Sequence, residues 1–374
     1  MSLSPLVAGI ANAPVSWLDA NAADADVVLF SRIRFLRNLS GFPFPVNASK
    51  TVRQKINELT GETLQQITGK KSGSAYYPVS LSELGLEDRE ILQERKWIPS
   101  HTSRSHHCKT VFLPQQTPVQ PWLLTHYDCH ISIQVIGPGN QTDLLWQKIS
   151  PFEQELSGYL PFAFRQDLGY LTEQPCYTGT AMLVSAMLHL PCTCLSGKEQ
   201  TLLRSLKALC FKARSFADKD QVFPGALFMI CNESTLGESE EELLLRFQRV
   251  LKNIITEERL LREQLLTNKK SMLQNICGRA LGMLQHSYLL SLDEAIVALT
   301  SLKLGIDCSL IESETSPDIF YRMLLPVQKA HLRFTATQQE PGDQEELMLQ
   351  DPLEQRATLL RTATAGLREQ GGHH

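Results

Sequence analysis

The segment VVLFSRIRFLRN, residues 27–38, decides how this chain is read. Val27, Val28, Leu29, Phe30, Ile33, Phe35 and Leu36 form a strand-like apolar run, and Arg32, Arg34 and Arg37 interrupt it. Three guanidinium groups in such a run are costly unless anions meet them. Alternate residues of a strand share a face, so Arg32 and Arg34 project together. Phosphate is the natural partner, because its oxygens match the planar fork of arginine two at a time.

Outward from this segment, GFPFP at 41–45 breaks regular structure, and TVRQKINELTGETLQQI at 51–67 predicts a helix with Val52, Ile56 and Leu59 at helical spacing. KSGSAYYPVSLSEL reads as a loop, and 87–95 as a short helix. In HISIQVIGPG, 130–139, strict alternation followed by Gly-Pro-Gly predicts a strand and a turn. Pro151 predicts that the helical segment 144–156 is split in two. Residues 180–190 are apolar up to Pro191, and 226–231 predict a later strand. Capping boxes at Ser239/Glu242 and Ser291/Glu294 open long helices, with Gly305 as the stop of the second. An acidic tail at 337–351 reads as a mobile loop before a last helix near 352–368. Strands mixed with helices and then helices alone predict an α/β domain of the α+β type over 1–260 and a helical domain over 261–374.

A chain of 374 residues exceeds the usual single-domain size, and its 43% hydrophobic and 20% charged composition is that of a globular protein. A formal charge of −4 argues against nucleic acid as a partner. No apolar run approaches the roughly 20 residues that span a bilayer, and no basic residue precedes the mildly apolar N-terminus, so neither a membrane span nor a secretory signal is expected. Nine cysteines, an odd number, suit reduced thiols in the cytoplasm better than a disulfide framework. Cys192 and Cys194 form a C-x-C pair with no second pair nearby to complete a zinc site.

VVLFSRIRFLRNLSGFPFP, HISIQVIGPG, DLGYLTEQP (167–175), MLHLP (187–191), LFMICNESTLG (227–237) and LKLGID (302–307) follow one another in an order that resembles the phosphagen kinase superfamily. The resemblance is strongest to the bacterial protein arginine kinases and covers almost the whole chain. It implies an antiparallel sheet flanked by helices and transfer of the γ-phosphoryl of ATP, with Mg2+, to a guanidinium group. It also implies a helical C-terminal part that binds phosphoarginine and contributes to a homodimer, and a protein as substrate or regulatory partner. Such chemistry is mostly positioning and charge neutralisation. The resemblance places Arg32, Arg34 and Arg214 on the phosphates and Asp128 on the catalytic carboxylate.

The departures matter as much as the matches. Asp128 stands one methylene short of the family's glutamate, a displacement of ~1 Å that can cost ~100-fold in rate. Ser132 and Leu183 replace two phosphate-binding arginines, Gln174 replaces the substrate-side cysteine, and Val222 takes the place of a second acceptor-orienting glutamate, with Asp218 and Asp220 as the nearby acids. Charge-assisted hydrogen bonds contribute roughly 1.5–3 kcal/mol each, so two lost arginines remove more than ~5 kcal/mol of stabilisation. In the C-terminal part the family's Arg-Asp-x-x-Arg-Ala reads Pro352-Leu353-Glu354-Gln355-Arg356-Ala357, with Arg356 and Arg361 left to receive an anion.

These departures favour a protein with weak or no phosphoryl transfer that acts as a regulatory or adaptor binding protein. The alternative is an active kinase with rearranged groups, drawing on Lys96 or Lys219. A third reading places zinc among His126, Asp128 and His130, with His106, His107 and Cys108.

Overall fold

In the computed structural model, which describes residues 4–69, 76–99, 108–115, 119–215, 224–313, 318–337 and 351–370, the arginine-rich segment becomes β1, Val28–Arg37, near the middle of a sheet. β2 (Tyr76–Ser80), β3 (Thr110–Pro114), β4 (Trp122–Thr125) and β5 (Ile131–Pro138) lie to one side of it. β8 (Met182–His189), β9 (Phe211–Ser215) and β10 (Leu227–Asn232) lie to the other, in the order β2-β3-β4-β5-β1-β8-β10-β9. Every neighbouring pair is antiparallel. A small hairpin, β6 (Phe164–Arg165) with β7 (Gly169–Tyr170), stands apart. Gly179 adopts φ 118°, and a Cβ there would strike the Thr235 carbonyl, so only glycine lets the segment before β8 pack this closely.

The alternation of β1 separates two faces. Ile33 and Phe35, with Ile133, Val135, Val184, Ala186, Phe228 and Ile230, bury one face against α2 (Lys50–Gly69), α4 (Thr142–Ser157) and α7 (Glu240–Asn268). The other face carries Arg32 and Arg34. A second core joins Leu29, Phe30, Met187 and Leu227 to Leu261 and Leu265 of α7, to α8 (Lys270–His286) and to α9 (Leu292–Asp307). The same core reaches α12 (Pro352–Thr364) through Ala357 and Leu360. Both capping boxes form at Ser239/Glu242 and Ser291/Glu294.

Several expectations are corrected. Pro151 does not split its helix: Leu145, Ile149 and Leu156 keep one buried face through it, while Pro151 and Gln147 are exposed, so the carbonyl left without its N–H faces water. Gly305 does not stop α9, which runs to Asp307. A Cβ at 305 would come within 2.7 Å of Ile311 Cδ1 and 3.0 Å of Cys277 Cβ, so glycine serves close packing there. The segment read as a loop before residue 84 contains the edge strand β2, whose Pro78 is tolerated because, among the described residues, one of its sides has no partner strand. The last helix ends at Thr364, ahead of a short strand, Leu367–Glu369. The acidic stretch 338–350 lies outside the described residues.

Arg37 found its anions within the protein. It is fully buried, donates to Glu153 Oε1 at 2.7 Å and to the Leu36 and Thr180 carbonyls at 3.0 Å, and reaches Glu240 Oε1 at 3.4 Å. Its guanidinium lies 3.5 Å from the Tyr170 ring centre. Two carboxylates share this cation. Burial pushes Glu240 up to about 7, Arg37 acts against the rise, and Glu153 adds to it. A carboxyl raised in the fold contributes stability that is complete below its unfolded value near 4.5 and is lost as pH climbs through 7. Glu240→Gln, permanently neutral, is therefore expected to gain on the parent chain between pH 4.5 and 7.5 in paired thermal melts. A difference constant across that range would contradict it.

Candidate functional site

The open face of the sheet arranges its side chains in rows set by strand register. One row runs Gln134, Arg34, Leu183. The next runs Ile136, Arg32, Ser185, Cys231, Lys212. A third runs Pro138, Phe30, Met187, Met229, Arg214. Two apolar patches bound the arginines. Phe30, Ile136, Met187 and Trp17 close one end, and Leu36, Cys129, Tyr177, Ala181 and Leu183 close the other.

Asp128 sits in the β4–β5 hairpin, closed by the bond from His126 N–H to the His130 carbonyl at 3.1 Å. Asn38 fixes this hairpin by accepting from His130 N–H at 2.8 Å and donating to the Leu171 carbonyl at 3.1 Å. The result puts Asp128 Oδ2 3.1 Å from Arg34 Nη1, with side chains 38% and 18% exposed. The carboxylate and one of the arginines thus neutralise each other.

Arg32 is half-buried and feels the whole cluster. Its guanidinium is pushed down to about 10, first by burial and then by Arg34 and Arg214, with Asp128 acting in the opposite direction. Arg32, Arg34, Arg214 and Asp128 are therefore close enough to interact, and a cation crowded by cations is an energetic demand for an anion. Arg214 is exposed near the end of β9. Lys109 is buried nearby, 4.5 Å from the Tyr127 ring centre, its ammonium pKa lowered by burial and by Arg53 with Asp128 acting in the opposite direction.

Neither Ser132 nor Leu183 restores charge at its own position. Ser132 is buried on β5, opposite Leu124 of β4 and Leu36 of β1, its hydroxyl without a hydrogen-bond partner among the described residues, and Leu183 is buried within the second apolar patch. Val222, Asp218, Asp220 and Lys219 lie outside the described residues, and Lys96 stands in the turn that closes α3 (Leu86–Glu94). Lys212 is a further cation of this face, one that sequence reading missed. Its signal was present, since Lys-x-Arg in FKARS repeats the Arg-x-Arg spacing of β1.

The histidines have other duties. His130 Nδ1 accepts from Leu39 N–H at 2.9 Å while Nε2 donates to the Pro43 carbonyl at 2.9 Å, and His126 Nε2 donates to the Arg53 carbonyl at 3.0 Å. With both ring nitrogens engaged, His130 has no lone pair for zinc, and no group of three ligands able to hold a metal occurs among the described residues. His106 and His107 lie outside them. All nine cysteines are free. Arg356 has structural partners of its own. It is buried and donates to the Val327 carbonyl at 2.9 Å and to the Leu290 carbonyl at 2.8 Å. Arg361 donates to the Ser287 carbonyl at 2.7 Å and stacks on Tyr288.

Residues 55–261 match the ATP:guanido phosphotransferase C-terminal catalytic domain. The chain belongs to this family. Residues 270–373 match the protein-arginine kinase McsB C-terminal domain, so the bacterial protein-arginine kinase branch is the one this family member stands near. Among curated relatives, the protein-arginine kinase of Syntrophomonas wolfei is 30% identical over 324 residues, 85% of this chain and 88% of the relative. That of Halothermothrix orenii is 28% identical over 317 residues, 85% and 89% of the two chains. Two solved structures share the fold. The duplicated taurocyamine kinase of Schistosoma mansoni with bound transition-state analogue components superposes with a TM-score of 0.57 at 20% identity, covering 68% of this chain and 36% of that one. Lombricine kinase superposes with a TM-score of 0.55 at 16% identity, covering 70% and 72%. The antiparallel sheet and its helical layers are thus the family fold, and no helix among the described residues is long and apolar enough to cross a membrane.

Proposed function

We propose that this member of the ATP:guanido phosphotransferase family binds a phosphate-bearing ligand, transfers phosphoryl groups weakly or not at all, and acts on other proteins as a regulatory or adaptor binding protein. The observation that carries this reading is the 3.1 Å ion pair between Asp128 and Arg34. It joins the one acid assigned to orient a guanidinium with one of the cations assigned to hold phosphate, in a face where Ser132 and Leu183 are uncharged.

Family membership implies ATP and Mg2+, and the residues present fit them unevenly. Arg32, Arg34 and Arg214 suit the oxygens of a phosphoryl group. The positions that would extend the grip carry a buried serine and a buried leucine, so a triphosphate laid in the family's register lacks counter-charge there. Asp128 Oδ2 is paired with Arg34, so Mg2+ would have to share this half-exposed carboxylate with a guanidinium. No step of transfer follows from this arrangement.

Incubation with labelled Mg-ATP and an arginine-rich protein, followed by assay of acid-labile phosphate, tests the reading. Product formation at least ~5,000-fold below that of a protein-arginine kinase run in parallel is expected, matching a loss above ~5 kcal/mol. Rates within tenfold of that enzyme would overturn it. One observation favours the rival, an active ATP-dependent protein arginine kinase with rearranged residues: Lys212 adds a cation to the open face.

A further inference from the structure

β9 repeats the charge pattern of β1. Lys212 lies across from Cys231, which lies across from Ser185, which lies across from Arg32, so Lys212 and Arg32 occupy one row on one face. At about 4.8 Å per strand their backbones are roughly 14 Å apart, a span that two long side chains close to within reach of one small anion. Lys212 does not extend into solvent. Its Nζ stands 3.3 Å from the Tyr177 hydroxyl and 5.6 Å from the Tyr177 ring centre. Tyr177 in turn packs with Leu183, the position stripped of its arginine. The ammonium is thereby brought from the sheet edge to the side chain that covers the uncharged spot.

We infer that Lys212, held on Tyr177, is a phosphate-contacting residue that takes over the charge absent at Leu183, so that the face receives a single terminal phosphoryl dianion over β8 and β10. A triphosphate spread toward β5 would instead meet Ser132, which brings no charge. The inference rests on the reading of the basic face as a phosphate-binding surface. Cys231 lies between Lys212 and Ser185 in the row, and burial pushes its thiol up while Lys212, Arg214, Arg32 and Arg34 act against the rise. A lysine ammonium here is a mobile point charge with three donors, adaptable to a phosphoryl group that no bidentate arginine frames from β8.

Calorimetric titration of the full chain with inorganic phosphate, phosphoarginine and ATP at low salt tests this. The parent protein is expected to bind phosphate or phosphoarginine at least as tightly as ATP. Uptake of both would mark the phosphoryl group itself as the recognised unit, and preference for phosphoarginine would mark a phosphorylated guanidinium. Lys212→Met is expected to weaken the bound probe at least tenfold, and adding Leu183→Arg to that variant is expected to restore most of the loss. Lys212 lies on the edge strand β9, and a thermal melt checks that the variant folds. Should it not fold, Tyr177→Phe, which removes only the hydroxyl under the ammonium, is expected to weaken binding three- to fivefold. No binding of either small probe to the parent, ATP binding more than tenfold tighter than both, or Lys212→Met (Tyr177→Phe in its place) within 1.5-fold of the parent would overturn the inference. Phosphoarginine production in the transfer assay would overturn the proposed function and leave the Lys212 contact to be judged by these titrations alone.

Discussion

Replacing Arg37 with methionine is expected to destabilise the chain by about 3–5 kcal/mol, the usual consequence of removing one partner from a buried ion pair. Methionine fills comparable space over Tyr170, so a packing void is not the cause. The cause is the pair of carboxylates left behind. Glu153 loses a 2.7 Å partner while almost wholly buried, and Glu240, already pushed up to about 7, loses the group that opposes that rise. The Leu36 and Thr180 carbonyls lose their donor as well. The deficit should therefore shrink toward pH 5, where Glu240 takes up a proton and one of the stranded charges disappears. Denaturant melts at pH 5 and pH 8 measure both quantities. A loss under 1 kcal/mol at pH 8 would mean that water reaches the two acids and that Arg37 does not hold them.

Asp128→Asn is expected to tighten phosphate binding by roughly five- to thirtyfold, about 1–2 kcal/mol once the half-exposed position of the pair is allowed for. The change is nearly isosteric, removes one negative charge from the basic face and releases Arg34 to meet an incoming anion. An active kinase predicts otherwise, since losing its carboxylate would abolish transfer with no reason for tighter phosphate binding. The two readings separate in one pair of titrations. Unchanged or weaker affinity would show that the Arg34–Asp128 pair does not compete with an anion.

Much of this architecture is legible in the sequence because the relevant signals are local. Alternation in 130–139 writes β5, and the Ser/Glu spacing writes the starts of α7 and α9. The pairing of Arg32 with Arg34 follows from a period of two. What escaped depends on contacts distant in the chain. Pro151 is read as a breaker because the sequence does not reveal that Leu145 and Leu156 bury against one sheet. Gly305 looks like a terminator until Ile311 and Cys277 are seen against it. Arg37, grouped in sequence with the two site arginines, faces the opposite side and finds Glu153, 116 residues away. Lys212 escapes because a single Lys-x-Arg spacing in a five-residue edge strand is a weak signal, and its relation to Arg32 exists only through two intervening strands. For Arg356 the sequence shows only the remnant of a motif, whereas its Nε and Nη1 donate to two backbone carbonyls from distant segments.

The apolar cluster that runs from Phe30 and Leu227 through Leu261 and Leu265 of α7 into Leu299 and Leu360 has a consequence for how such a protein can change over time. Neither the strand-bearing half nor the helical half can be discarded, because each supplies the wall against which the other excludes water. Arg32, Arg34 and Lys212 lie outside that cluster, so polar chemistry at those positions is free to drift while the scaffold is handed down whole.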